Sequence, residues 1–418
     1  MELTQVLPQS PTPAQPSEGA GSSRAEPRRA TRERASYEAE PPRQFGHPHA
    51  PRLVVGAARS YRRWRAKGPR LGDYSPVSTL ELPATPVPRA CVPAVNFHTH
   101  LGRWLSPDGT WMEKDVPGLL ELMDSCNIDG LVNLDGRWGR ELEDNLDRYD
   151  RAHPGRFFTF CHVDWRLLER RDGPDLLAQA LERSVAAGAR GLKIWKDLGM
   201  RVRAEGRLVL PDDPRLSSLW EAAGSLGVPV LVHVADPIAF FRPADRNNER
   251  LEELRSWCQT GAQYGGGREG FRKLVSSLEA VVVGHPGTTF VAAHGFYPEN
   301  LSYLAAMFER YPNFFIDIAW VHLQLGRQPR AARELCLRYP SRILFGTDAF
   351  PLREALMRIY FRFLETPDEY FSYTDEPVPG SGRWNIYGLE LPSDVLKQVY
   401  STNAKRLLGM QRAEEGGT

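Results

Sequence analysis

Long hydrophobic runs, clustered cysteines and a surplus of charge are all missing from this sequence. No run of about 18 apolar residues occurs, so we expect no membrane-spanning helix and no integral membrane association. The five cysteines are scattered and form no Cys-x-x-Cys pair, which argues against a disulfide framework or a cysteine zinc site and favours a reducing compartment, the cytoplasm. A net charge of only +1 offers no electrostatic basis for binding nucleic acid.

The N-terminal segment differs in composition from the rest of the chain. Residues 1–75 carry 13 lysines and arginines against 7 acidic residues, and residues 1–90 hold 14 of the 34 prolines. Such a segment cannot bury enough apolar surface to offset the entropy lost on ordering. We therefore predict a largely disordered basic extension over residues 1–75 and one folded domain over residues 76–418. Residues 52–67 have the spacing of a basic amphipathic helix, which either packs on the domain, is merely solvated, or lies on an anionic surface.

After residue 90, short β-rich apolar segments alternate with amphipathic segments. This alternation is typical of repeated β–α units. Eight strands are predicted, and they are 94–100, 130–135, 157–165, 190–196, 229–236, 288–295, 314–320 and 342–350. Eight strand–helix repeats favour a (β/α)8 TIM barrel, an α/β fold. The alternative, a doubly wound open sheet, would need a glycine-rich phosphate turn after its first strand, and the sequence there has none.

Two connections are long for a compact domain. Residues 237–287 separate the fifth strand from the sixth, and residues 365–391 follow the eighth strand. Long connections usually form either lids or disordered segments. Because both of these segments are rich in aromatic residues, we expect ordered insertions after strands five and eight.

Four of the predicted strands carry histidine or aspartate at or near their carboxyl ends, although barrel strands are buried on both faces. His98 and His100 are two residues apart on the first strand, so both side chains point to the same side. His233 lies on the fifth strand, His294 near the end of the sixth and Asp348 near the end of the eighth. The carboxyl ends of all strands meet at one face of a barrel. Imidazoles and a carboxylate gathered there suit a divalent transition metal such as zinc.

This set of motifs resembles the amidohydrolase superfamily, and more narrowly its amidohydrolase-2 branch of metal-dependent TIM-barrel hydrolases and decarboxylases. The resemblance covers residues 90–410. It implies that His98, His100, His233 and Asp348 bind one divalent metal, for which Zn²⁺ is the first choice. It also implies that His294 lies beside the metal and acts on the substrate, while Asp348 takes a proton from a metal-activated water.

The ligand set predicts a class of chemistry and leaves the reaction open. We expect a metal-dependent hydrolase acting on a small, carboxylate-bearing substrate, and a metal-dependent decarboxylase built from the same residues is the alternative. A third reading, a barrel with a vestigial site whose basic N-terminus binds a partner, is disfavoured by the complete set of histidines and aspartate. Substrate identity does not follow from the sequence, and a homo-oligomer stays open.

Several cations are expected at the same face of the barrel. Lys193 stands in an otherwise apolar fourth strand, and three roles for it stay open: a cation facing the substrate, a structural ion-pair partner and a carbamylated metal ligand. Arg103, Arg137 and Arg242 follow strand ends or lie in the long connections, and we predict that they bind a substrate carboxylate. The alternative is that they pair with neighbouring acids such as Asp135.

Removing residues 1–50 should leave folding and metal binding unchanged, because that segment has the composition of a disordered tail. Melting curves and metal content of the truncated and full-length proteins test this expectation. An insoluble truncated protein would contradict it and would show that the segment belongs to the fold.

Overall fold

The computed structural model describes residues 77–257 and 267–410. The predictions for residues 1–75, including the helix at residues 52–67, lie outside the described residues, and the domain boundary stays a prediction. Within the described part of the chain, no helix is long and apolar enough to cross a membrane.

Eight parallel strands form the barrel, and each pairs with the next one along the chain. Between the fourth and fifth of them the chain makes a short antiparallel hairpin. The strands of the described residues are, in chain order, β1 (Ala94–Thr99), β2 (Ile128–Asn133), β3 (Phe157–Cys161), β4 (Gly191–Ile194), the hairpin strands β5 (Arg203–Ala204) and β6 (Arg207–Leu208), then β7 (Val230–Val232), β8 (Phe290–Ala292), β9 (Phe314–Asp317) and β10 (Ile343–Leu344).

Backbone hydrogen bonds between the first and last strand regions close the barrel. The amide of Phe97 donates to the carbonyl of Phe345 at 2.8 Å, and the amide of Asp348 donates to the carbonyl of His98 at 2.9 Å. An open doubly wound sheet would leave these two edges apart. The TIM barrel predicted from the strand count is therefore confirmed.

Helices follow most of the barrel strands and cover its outer surface. The first of them shows how the sequence sets the bounds: the Asp115 side chain accepts from the amide of Gly118 at 3.0 Å, and Asn127 ends the helix in a left-handed conformation. In the described residues the α-helices are α1 (Val116–Cys126), α2 (Arg140–Asn145), α3 (Gly173–Ala187), α4 (Ser217–Leu226), α5 (Leu251–Trp257), α6 (Gly267–Gly284), α7 (Leu301–Arg310), α8 (His322–Leu325), α9 (Pro329–Arg338), α10 (Glu354–Glu365), α11 (Ser393–Lys397) and α12 (Asn403–Leu407).

The later barrel strands are shorter than predicted. The sixth was expected over residues 288–295 and spans only β8, and the eighth was expected over residues 342–350 and spans only β10. The apolar pattern continues past each strand, but the backbone leaves the extended conformation, with φ of 55° at His294 and 58° at Asp348. The polar residues therefore lie in tight turns just beyond the strands rather than within them.

Both predicted insertions are present, and they contain secondary structure that the sequence pattern did not reveal. The insertion after β7 begins with a 3-10 turn at Ile238–Phe241 and continues into α5, and α6 then returns to the barrel. The segment after α10 contacts it, because Arg383 pairs with Glu252 at 2.7 Å. The hairpin of β5 and β6 was not predicted. In the structure its turn has positive φ at both Glu205 and Gly206, as a tight hairpin turn requires.

A buried asparagine fastens the first strand to the last. The Asn96 side chain donates to Thr347 Oγ at 2.7 Å and accepts from the Thr347 amide at 3.0 Å. Its oxygen also lies 3.3 Å from the amide of His98. Because Asn96 is fully buried, no water can replace these bonds.

Replacing this asparagine, Asn96→Ala, should lower the free energy of unfolding by about 2–4 kcal/mol, since it leaves buried polar groups without partners. Denaturant unfolding measures the loss. The exposed Asn247→Ala is the control, with an expected change within about 0.5 kcal/mol. Equal effects of the two substitutions would show that the asparagine does not fasten the barrel.

Candidate metal centre and active site

Three of the predicted metal ligands converge at the carboxyl end of the barrel. Nε2 of His98 lies 3.5 Å, and Nε2 of His100 3.2 Å, from the same carboxylate oxygen of Asp348. One ligand atom from each residue lies within 4.8 Å of the others. The two histidines are buried and the Asp348 side chain is 23% exposed, so solvent reaches the cluster mainly at Asp348.

The predicted catalytic histidine lies beside this cluster. The His294 ring is 4.8 Å from the His98 ring, and its Nε2 is 4.0 Å from Asp348. Its Nδ1 is bonded to the carbonyl of Ala319 at 2.8 Å. Because a carbonyl only accepts, Nδ1 carries the hydrogen, and Nε2 is the atom left to act in the open part of the site.

The fifth-strand histidine lies beside His294, close to this cluster. The His233 ring is 4.4 Å from the His294 ring, and its Nε2 lies 3.6 Å from Asp236. Asp236 in turn binds Lys196 at 2.9 Å. Two groups of the described residues have ligand atoms within 4.8 Å of one another: one is His98, His100 and Asp348, and the other is His98, His294 and Asp317. His233 is in neither group. Its role as a ligand stays a prediction.

Two buried carboxylates that had not been assigned to the site orient the first-strand histidines. Asp317 accepts from Nδ1 of His98 at 2.7 Å, and Asp135 accepts from Nδ1 of His100 at 2.6 Å. Each bond places the hydrogen on Nδ1 and leaves Nε2 as a bare donor atom, the arrangement found around protein-bound metals. From the sequence, Asp135 was predicted only as an arginine partner. Asp317 was not identified, although Asp317 ends the apolar β9 and the strand-end argument used for the histidines applies to it as well.

Asp317 also connects the two histidine positions. Its second oxygen accepts from the backbone amide of His294 at 2.9 Å. His294 has a left-handed backbone conformation. This conformation costs free energy in any residue other than glycine and is tolerated where the surroundings enforce it. One carboxylate therefore sets both the ring orientation of His98 and the turn that carries His294.

The electrostatics of the cluster favour a neutral His98 and an ionised Asp348, whereas the two carboxylates beside His100 favour its protonated form. Burial lowers the pKa of His98 well below its usual value, and the nearby Lys193 ammonium lowers it further. Burial also opposes protonation of His100, but Asp135 and Asp348 outweigh it and raise the pKa to about 9. For Asp348 burial acts upward, yet the surrounding histidines hold its pKa below the usual range.

The donor set fits a divalent cation. Nε2 of His98 is buried and has no hydrogen-bond partner among the described residues. With neutral imidazoles, the carboxylates of Asp135, Asp317 and Asp348 carry three negative charges, against the single ammonium of Lys193. A divalent cation beside them would balance the remaining negative charge. It would thereby lower the free-energy cost of burying three carboxylates.

Lys193 is buried and interacts electrostatically with Asp317, Asp348 and Asp135. Its side chain is 1% exposed, and Nζ has no hydrogen-bond partner among the described residues. Burial lowers its pKa to about 8, although Asp317 and Asp348 oppose the shift. No carboxylate oxygen of the described residues lies within 4.0 Å of Nζ of Lys193, so Lys193 interacts with the carboxylates at longer range.

The three predicted substrate-binding arginines have different surroundings. Arg103 forms an ion pair with Asp144 at 2.6 Å. Pairing with a neighbouring acid was the predicted alternative, although Asp135 was the acid named there. Arg242 is exposed. The guanidinium of Arg137 lies close to two indole rings, 4.9 Å from the Trp104 centroid and 4.1 Å from that of Trp138. Their roles in substrate binding stay predictions.

Comparison with known proteins starts from a family model. The model described as Amidohydrolase (Amidohydro_2) matches residues 137–410. This range includes His233, His294 and Asp348, and it begins after the first-strand histidines. No curated protein matches the sequence.

Solved structures resemble the chain in fold. A dihydroxybenzoic acid decarboxylase from Polaromonas sp. JS666, with bound manganese and the inhibitor 2-nitroresorcinol, is 15% identical with a TM-score of 0.50, over 78% of this chain and 100% of its own. The 2,6-dihydroxybenzoate decarboxylase from Rhizobium is 16% identical with a TM-score of 0.49, over 77% and 99%. An amidohydrolase from Burkholderia multivorans with bound zinc is 13% identical with a TM-score of 0.43, over 76% and 99%. At these identities the likeness concerns the fold.

Substituting the orienting carboxylate, Asp317→Asn, should weaken metal affinity about 10- to 100-fold, because the tautomer of His98 is no longer fixed by a charged acceptor. Competition with a chromogenic chelator measures the affinity. Asp150→Asn is the matched control, since that carboxylate binds Thr159 and faces a different part of the barrel. Unchanged affinity in the Asp317 variant would mean that the carboxylate does not support the metal.

Proposed function

This chain belongs to the amidohydrolase family, and we propose that it is a metal-dependent hydrolase of a small, carboxylate-bearing substrate. The observation that carries the proposal is the convergence of the Nε2 atoms of His98 and His100 on one carboxylate oxygen of Asp348. Each imidazole is held in the metal-binding tautomer by its own buried carboxylate. Such a pre-oriented donor set at the open face of a TIM barrel supports metal-dependent chemistry.

One divalent metal is assigned to His98, His100, Asp348 and, completing the set, His233. Zn²⁺ is the first choice because the donors are mostly imidazole nitrogens. Manganese, bound in the Polaromonas decarboxylase, is the alternative. When bound, a divalent ion supplies Lewis acidity and lowers the pKa of a coordinated water. Elemental analysis of the purified protein distinguishes the two metals, and a protein without stoichiometric metal would contradict the assignment.

The chain's own residues supply the proton transfers. Asp348 is held in its ionised form and is 23% exposed, so its carboxylate can accept a proton from a water at the open face. His294 has Nδ1 bonded to Ala319, so its Nε2 can take up that proton and pass it to a leaving group. The Lys193 ammonium, buried among the carboxylates, adds positive charge facing the substrate.

A decarboxylase remains the second candidate, and the fold likeness to the Polaromonas enzyme favours it. On the same residues, Nε2 of His294 would deliver a proton to the carbon that loses carbon dioxide. A screen of lactones, amides and aromatic carboxylates separates the reactions. Incorporation of ¹⁸O from labelled water into the product indicates hydrolysis, whereas release of carbon dioxide without it indicates decarboxylation.

The proposal also covers the cellular compartment and the binding partner of the enzyme. Four cysteines, Cys91, Cys126, Cys161 and Cys336, are free thiols in the structure, which is compatible with the reducing cytoplasm predicted from the sequence. The partner we propose is a small-molecule substrate. Light scattering on the purified protein would decide whether it forms a homo-oligomer.

The variants His294→Ala and His98→Ala should fail in different ways. His294→Ala should keep its metal and lose about 10²- to 10⁴-fold in turnover, because a proton donor is removed without removing a ligand. His98→Ala should lose metal first and activity as a consequence.

Metal content, melting temperature and rate, measured on both variants, separate the roles. If His294→Ala sheds its metal as fully as His98→Ala, then His294 is a ligand and the assignment is wrong. If stability and rate fall together with metal retained, His294 serves packing.

A further inference from the structure

We infer that Tyr360 is a positioning residue for His294, because it holds the peptide group whose carbonyl fixes the tautomer of that histidine. The inference rests on the proposed function, since the tautomer decides whether Nε2 of His294 can take up a proton there. Tyr360 lies on α10, away from the strand ends that carry the other site residues.

The peptide group between Ala319 and Trp320 connects the two side chains. Its carbonyl oxygen accepts from Nδ1 of His294 at 2.8 Å, and its N–H donates to Oη of Tyr360 at 2.7 Å. The two bonds leave opposite sides of one planar, rigid unit. A rotation of this peptide therefore changes the partner of His294 and the partner of Tyr360 together.

Asp317 holds the chain on the other side of Ala319. Its Oδ1 accepts from the amide of Ala319 at 3.0 Å and from the amide of His294 at 2.9 Å. Asp317 therefore fixes the peptide that precedes Ala319, whereas Tyr360 holds the peptide that follows it.

The backbone of Trp320 needs such a partner. Its φ is 50°, in the left-handed region that glycine adopts without steric cost and other residues do not. A conformation of this kind persists where neighbouring groups enforce it. The hydrogen bond from the Trp320 amide to Tyr360 is a contact that enforces it, and its loss allows the peptide to turn.

Tyr360 is itself arranged to accept from this amide. The side chain is fully buried, and burial raises the pKa of the phenol well above its usual value, so the phenol is neutral. Oη lies 3.4 Å from the carbonyl oxygen of Ile318 and 3.5 Å from that of Thr347. The phenolic hydrogen points to these carbonyls, and a lone pair is left for Trp320. Because both of those distances are long for an O–H···O bond, the Trp320 amide is the closest partner of this oxygen.

The position of this peptide decides which nitrogen of His294 carries the hydrogen. With the carbonyl facing Nδ1, the hydrogen is on Nδ1, and Nε2 is bare and 4.0 Å from Asp348. A turned peptide would present the Trp320 N–H to Nδ1, and the hydrogen would then be on Nε2, which could no longer take up a proton. In Tyr360→Phe the turned peptide is favoured, because it leaves a buried carbonyl without a partner instead of a buried N–H, and the former costs less.

The test compares Tyr360→Phe with the wild type by NMR of ¹⁵N-histidine in the full-length protein loaded with Zn²⁺. His294→Gln identifies the His294 signals by their loss. At a pH of about 8.5, above the ordinary pKa of histidine, wild-type His294 should be in the Nδ1–H tautomer, whereas Tyr360→Phe should contain a measurable Nε2–H fraction. Hydrogen exchange of the Trp320 amide should be about 10- to 100-fold faster in the variant, because the amide loses a buried acceptor.

Tyr400→Phe is the matched control. Tyr400 is also fully buried, and its hydroxyl donates to Glu365 at 2.9 Å. Its ring lies 5.1 Å from the ring of Phe345, which Tyr360 contacts from 5.8 Å. Tyr400→Phe should lower the melting temperature about as much as Tyr360→Phe and leave the His294 tautomer and the Trp320 exchange unchanged.

Turnover gives the functional readout. On any lactone, amide or aromatic carboxylate that proves to react, Tyr360→Phe should lower kcat about 10-fold with KM and metal content unchanged, because only the fraction of molecules in the competent tautomer turns over. Tyr400→Phe should keep the wild-type kcat. If none of these compounds reacts, the proposed function fails, and the NMR comparison still decides the role of Tyr360.

Three results would each overturn the inference. Two are measured on the wild type and do not require the variant to fold: His294 in the Nε2–H tautomer, or a Trp320 amide that exchanges as fast as one without a hydrogen bond. The third is a folded Tyr360→Phe with an unchanged His294 tautomer, whatever its melting temperature or turnover, since the tyrosine then serves packing.

Discussion

The hydrogen bonds of Asp317 are the interactions on which the rest of the site depends. One oxygen holds Nδ1 of His98, and the other holds the amide of His294. A single buried carboxylate at the end of β9 therefore joins the end of β1 to the end of β8. It fixes the tautomer of one histidine and the turn that exposes the other. Only a barrel brings these three strand ends close enough for one side chain to span them.

Burial of charge is the second constraint, and it explains the composition of the site. Asp135 and Asp317 are fully buried and Asp348 is partly buried, with Lys193 as the nearest enclosed cation. Unpaired charges at such depth are costly unless hydrogen bonds and opposite charges compensate them. The imidazole N–H groups of His98 and His100 compensate the carboxylates in part. The remaining negative charge is what makes the cluster suited to a divalent cation.

Stability and strain are distributed between different parts of the barrel. Closure relies on ordinary, well-satisfied bonds, such as those of Asn96 to Thr347. The open face instead holds His294, Asp348 and Arg137 with positive φ. These conformations cost free energy and persist because the closed barrel beneath them is rigid. The backbone positions of these three residues are therefore set by the barrel.

The sequence by itself determined the architecture and the location of the site. Eight apolar segments with helices between them predicted the barrel, and His98, His100 and Asp348 could be placed at one face because parallel strands end together. What the tertiary structure decided is which groups touch. The hydrogen bonds of Asp317, the position of His233 beside His294 and the different surroundings of Arg103 and Arg137 depend on turns and ring orientations across distant strands. Local patterns specify burial and periodicity, whereas these contacts form only when the barrel closes, so no spacing along the chain encodes them.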